Sequence, residues 1–132
     1  MRANEFITEG RLDLDIHTLA QKFVPFVKQH LDLQDLPEIE FLDQPLEGTF
    51  GQYHDGTIRV VSAGRHHIDT LRTLAHELVH WNQDSQGRIG PDSGETGSDE
   101  ENEANALAGV IMRDFAEAHP ELLKVLRDNN NH

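Results

Sequence analysis

The chain has no cysteine among its 132 residues, which removes disulfide scaffolds, cysteine-based zinc fingers, iron–sulfur clusters and thiol catalysis together. Aromatic residues are sparse: one Trp, one Tyr and six Phe, enough for one modest core and too few for a large one. Basic residues are also scarce. Eleven Lys and Arg face twenty-four Asp and Glu, a net charge of −13. Such an excess repels phosphate backbones and anionic lipid, and Arg and Lys are scattered singly, so neither nucleic acid nor a membrane surface is an expected partner. No apolar run approaches a membrane span, and Met1-Arg2-Ala3-Asn4-Glu5-Phe6 lacks the apolar core of a signal peptide. The expectation is one cytoplasmic domain over residues 1–132, with a loose arm at 1–11, an acidic loop at 84–97 and a polar tail at 128–132. What is abundant is histidine, nine in all, the residue type suited to metal ligation and acid–base work near neutral pH.

Hydrophobic periodicity organises the rest. Ile16, Leu19, Ala20, Phe23 and Val27 form one face of an amphipathic helix, which Pro25 is expected to kink or split. Ile39 and Phe41 alternate with Glu38 and Glu40 as in a half-buried strand. Residues 49–54 and 57–62 flank Asp55-Gly56, a pair suited to a type I′ hairpin that sets Tyr53 opposite Ile58 and Gly51 opposite Val60. Ile68, Leu71, Leu74, Ala75, Leu78 and Val79 mark a second helix. Ser98 with Glu101 signals a capping box for a third, striped by Ala104, Leu107, Ala108, Ile111 and Phe115. It stops at His119-Pro120, and a short last helix follows.

The second helix carries His76-Glu77-Leu78-Val79-His80. Residues four apart share a helix face, so both imidazoles can reach one ion while Glu77 projects beside it. Nine His and twelve Glu would generate this pattern by chance about 0.05 times in a chain of this length. A catalytic zinc takes three protein ligands and leaves a position for water. Gln83 and Gln86 stand where a metzincin would carry Gly and His, so the third ligand must be a carboxylate from Asp84, Asp92, Glu95, Asp99, Glu100, Glu101 or Glu103. A helix holds a ligand more rigidly than a loop. Glu101 is read as engaged by the cap, and Glu103, at the border of the buried stripe, is preferred, with Glu100 in reserve.

These residues resemble the gluzincin arrangement, and most closely the ImmA/IrrE-type metallopeptidases. The resemblance lies in His76-Glu77-Leu78-Val79-His80 and in Glu103-Ala104-Asn105-Ala106-Leu107-Ala108, similar to a second motif Glu-Ala-Asn-x-Phe-Ala. It spans about residues 36–118 and implies Zn2+ on His76, His80 and Glu103, with Glu77 as general base and acid in peptide-bond hydrolysis. The implied fold is α+β, a minimal zincin-like domain: N-terminal helix, small three-stranded, mainly antiparallel sheet, active-site helix and C-terminal ligand helix. The expected partner is a peptide or protein substrate. Thermolysin-like gluzincins place an Asp four residues after the ligand Glu to orient the first His; here Leu107 stands there, leaving Asn105 or a backbone carbonyl for that task. The usual helix-turn-helix companion of the ImmA/IrrE type has no room in this chain.

Tyr53 and His66 are the candidate oxyanion donors, residues 57–62 the candidate substrate-binding edge strand, and the loop 84–97 a candidate lid. Trp81 is assigned to packing. Ile7-Thr8-Glu9 before Gly10 is similar to the short sites cut by tailed-phage prohead proteases, which would make residues 1–9 a removable tag and the protein virion-associated. The alternative function is a non-catalytic protein of the same shape whose metal is structural or regulatory, or which binds a partner.

Overall fold

In the computed structural model, which describes residues 15–88, 98–122 and 124, the elements are α1 (Ile16–Leu31), β1 (Glu38–Leu42), β2 (Gly51–His54), β3 (Thr57–Val61), α2 (His67–Ser85) and α3 (Asp99–Ala118). The α+β class is as read from the sequence. The arm, residues 89–97 of the acidic loop, and the tail lie outside the described residues, and with them Asp92, Glu95 and the Ile7-Thr8-Glu9 motif.

Asp15 caps α1 by accepting the Thr18 amide at 2.8 Å, which satisfies one of the four amides that open a helix without intrahelical partners. Ile16, Leu19, Phe23 and Val27 are buried along one face, the predicted stripe. Pro25 neither ends nor splits the helix, which continues to Leu31 and closes with Asp32 in the left-handed region (φ 57°). Six residues on, β1 begins.

The strand order is β1-β3-β2. Asp55 and Gly56 both take positive φ, as a type I′ turn requires, and the hairpin pairs Tyr53 with Ile58 and Gly51 with Val60. β1, however, runs parallel to β3, with Ile39 opposite Ile58 and Phe41 opposite Val60. The sheet is therefore mixed, a finer result than the mainly antiparallel one expected. It also corrects the edge assignment. β3 is central and fully paired, so it cannot accept an added strand; among the described residues β2 and β1 hold the edges.

Ile58 and Val60, both with no exposed surface, turn the inner face of β3 onto the helices. There they meet the α1 stripe, Leu71, Leu74, Leu78 and Val79 of α2, and Ala104, Ala108, Ile111 and Phe115 of α3 in a single core. Phe23 and Phe115 meet edge to face with centroids 4.9 Å apart, joining the first helix to the last. Small residues at 104 and 108 let α3 lie close against α2, and this pair forms the broadest helix contact. The candidate site sits on that seam. Among the described residues no helix is long and apolar enough to cross a membrane.

Candidate metal centre

α2 presents two faces. Leu71, Leu74, Ala75, Leu78 and Val79 are buried in the core. Thr73, His76, Glu77, His80 and Gln83, spaced by three and four, lie together along the adjoining stripe. The helix starts at His66, whose Nδ1 accepts the Ile68 amide at 3.0 Å. Nδ1 of this candidate oxyanion donor thus serves as a helix cap. Tyr53 is likewise committed: its hydroxyl donates to Asp84 at 2.5 Å and its ring meets Trp81 edge to face. Trp81 packs as expected, with its indole N–H on the Asp35 carbonyl.

His76 and His80 bring their Nε2 atoms to 3.1 Å from each other. The third group between them is Glu101, not Glu103. Glu101 Oε2 lies 3.1 Å from His76 Nε2, and Glu101 Oε1 lies 3.1 Å from His80 Nε2. The capping box resolves the difference. The Glu101 amide donates to Ser98 Oγ at 3.1 Å, so its backbone serves the cap while its carboxylate turns across to α2. Glu103 faces elsewhere, accepting from Gln83 Nε2 at 2.8 Å and pairing with Arg88 at 2.9 Å. These two partners hold its carboxyl below the usual range, Gln83 foremost. Glu100 supplies its backbone carbonyl to Gln83, and Asp84 its carboxylate to Tyr53.

One signal in the sequence could have found Glu101. Residues 101, 104, 108, 111 and 115 recur at three and four, so Glu101 extends the buried stripe of α3 by one turn toward its start, whereas Glu103 is rotated about 100° from Ala104.

The donor set suits a divalent cation. Bonds of about 2.0–2.1 Å to imidazole nitrogen and carboxylate oxygen, set tetrahedrally, need donor atoms about 3.3 Å apart; the two imidazole nitrogens lie 3.1 Å apart, and each is 3.1 Å from a different oxygen of the Glu101 carboxylate. His76, His80 and Glu101 form the group of possible metal ligands among the described residues. Two neutral imidazoles and a carboxylate turning lone pairs toward one point repel each other unless a cation or protons sit between them. Each ring also has a further side-chain partner. The Asn105 side chain hydrogen-bonds His76, and Gln83 Oε1 lies 2.8 Å from His80 Nδ1. Burial is the main force on His76, pushing its pKa below the ordinary histidine value against the attraction of Glu101.

Glu77 lies beside this triangle with 8% of its surface exposed. Burial raises its pKa to about 7, offset in part by His80 and reinforced by the like charge of Glu101. Its cover is Gly51 of β2. A Cβ there would stand 2.6 Å from Thr73 Cγ2 and 3.3 Å from Glu77 Cγ, so only glycine lets the strand press this closely on the helix. A cleft of about 280 Å³ opens at this point, lined by Thr49, Gly51, Thr73, His76, Glu77 and Asn105 among others.

Compared with protein-family models, with curated proteins and with solved structures, the chain has no match. The geometry itself supports a possible metal-binding triad of His76, His80 and Glu101 in a small α+β fold.

Proposed function

We propose that the protein is a zinc-dependent metallopeptidase in which His76, His80 and Glu101 hold the ion and Glu77 is general base and acid. The observation that carries this reading is the convergence of two imidazole nitrogens 3.1 Å apart, each 3.1 Å from one oxygen of the Glu101 carboxylate, beside a buried carboxyl at the wall of an open cleft. Two imidazoles and a carboxylate suit zinc. When bound, such an ion polarises a carbonyl and lowers the pKa of water to about 7.

The chain's own residues supply the rest. Gln83 orients the His80 imidazole from behind, and Asn105 is a further partner of His76. Glu77 moves the proton: its carboxylate takes it from the attacking water and returns it to the departing amine nitrogen. A pKa near 7 suits both halves of that exchange. Gly51 and Thr73 cover one side of the carboxyl and keep bulk water off it. The register of Glu101 also favours this reading. With Glu101 as ligand, the residue four positions on is Asn105, which hydrogen-bonds His76; a thermolysin-like gluzincin would carry its orienting Asp there. A purely structural site would require ligands but no buried base, and Glu77 is retained.

The test is metal content by elemental mass spectrometry, followed by cleavage of a peptide library. Near-stoichiometric zinc is expected in wild type and Glu77→Gln, and a sharp loss in Glu101→Ala. Peptide cleavage should occur in wild type and vanish in Glu77→Gln. Zinc retained by Glu101→Ala would refute the ligand set, and undiminished cleavage by Glu77→Gln would refute the mechanism.

A further inference from the structure

We propose that Gln83 is a positioning residue that fixes the tautomer of His80, and that Glu103 locks Gln83 in the orientation this requires. Only the consequence for metal affinity rests on the metal-centre reading; the tautomer itself does not.

Gln83 is the most deeply buried polar side chain near the site, 1% exposed, and a primary amide so placed is costly unless its groups are paired. Here they are. Nε2 donates to the Glu100 carbonyl at 3.0 Å and to Glu103 Oε1 at 2.8 Å. A backbone carbonyl and a carboxylate can only accept, so the nitrogen of the amide must face them and its oxygen must face the other way. That oxygen lies 2.8 Å from His80 Nδ1. Since a carbonyl oxygen cannot donate, Nδ1 must carry the hydrogen. In the neutral ring the lone pair is then at Nε2, the atom 3.1 Å from Glu101. Arg88 anchors the far end of the chain by its pairing with Glu103 at 2.9 Å. The order is therefore Arg88, Glu103, Gln83, His80, each link setting the donor and acceptor sense of the next. In this arrangement Glu103, the carboxylate that the sequence nominated as a ligand, acts two hydrogen bonds away from the ion.

The experiment reads the ring nitrogens directly. Long-range proton–nitrogen correlation spectra of 15N-labelled, chelator-treated protein at pH 8 report which nitrogen of His80 is protonated, the resonance being identified by its loss in His80→Gln. In wild type the proton is expected on Nδ1. Gln83→Met, of similar length and without the acceptor, should give a mixture of tautomers and raise the zinc dissociation constant, measured against a competing chelator, by about 10- to 100-fold. A purely structural tie between α2 and α3 would leave the tautomer unmoved. A bare Nδ1 with the proton on Nε2 in wild type would overturn the proposal, as would a Gln83→Met protein that keeps the Nδ1–H form with affinity within about twofold. Should Gln83→Met fail to fold, the wild-type spectrum decides the matter. Failure of wild type to bind zinc would refute the metal-centre reading and leave the tautomer result standing.

Discussion

The buried carboxyl of Glu77 makes the stability of the metal-free protein depend on pH in a direction opposite to that of a paired surface carboxylate. Its pKa rises from an ordinary 4.5 to about 7 on folding, chiefly through burial, so the folded chain holds this proton more tightly than the unfolded chain does. Stability from this group is whole below about pH 4.5, where both states are protonated, and is lost as pH rises through 7. A difference of roughly 2.5 pH units corresponds to about 3 kcal/mol. Glu77→Gln replaces the carboxylic acid with a neutral group of nearly the same shape. The variant should match wild type near pH 4 and exceed it by up to about 3 kcal/mol at pH 8, a rise in Tm of roughly 10 °C for a chain of this size. His76, whose pKa is lowered by burial, pulls the other way, its contribution being lost as pH falls below the ordinary histidine range. It is present in both proteins, so the difference between them reports Glu77. The assay is urea unfolding of chelator-treated wild type and variant at intervals from pH 4 to 8. Saturating zinc should shrink the gap at pH 8, because a cation beside the carboxylate favours its charged form. A gap that stays flat with pH, or a variant less stable than wild type at pH 8, would refute the reasoning.

Three further outcomes follow from the same geometry. The chain has a single tyrosine, so its ultraviolet titration reports Tyr53 alone; burial and the Asp84 hydrogen bond raise its pKa to about 12, and Asp84→Asn should bring the midpoint down toward 10. Ser98→Ala removes the cap that holds the first turn of α3 and should cost about 1 kcal/mol in denaturant unfolding, with weaker zinc binding, because Glu101 rides on that turn. Gly51→Ala forces the new methyl to within 2.6 Å of Thr73 Cγ2; overpacking of about 1–3 kcal/mol is expected, and the same measurement should show a change in the pH dependence assigned to Glu77, whose side chain borders that methyl.

The helices and the hairpin were legible because each follows a local rule: a stripe at three and four for α1, α2 and α3, and Asp55-Gly56 for the turn. The pairing of β1 was not, because alternation in Ile39 and Phe41 states that a strand is half buried and says nothing of which neighbour it takes or in which direction. Its parallel alignment on β3 depends on how the segment 43–50 returns the chain, a non-local matter. Pro25 shows the opposite error, a local rule outweighed by packing: the buried stripe continues on both sides of it through Phe23 and Val27, and their burial offsets the lost hydrogen bond.

The carboxylate that joins the two imidazoles shows where a motif argument and a packing argument part. Ser98 and Glu101 satisfy the spacing of a capping box, and the reciprocal form of that box would occupy the Glu101 side chain. Yet the cap needs from Glu101 only its amide. The side chain follows the face on which it stands, and that face, continued through Ala104, Asn105 and Ala108, is the one that α3 turns to α2. On it the small side chains of Ala104 and Ala108 bring the helices together, Asn105 reaches His76, and Glu101 reaches both imidazoles. Glu103, one residue before Ala104, is turned away by about 100° and meets Gln83 instead. Helical phase thus selects between two carboxylates two residues apart, sending one to the pair of imidazoles and the other to the hydrogen-bond chain behind them.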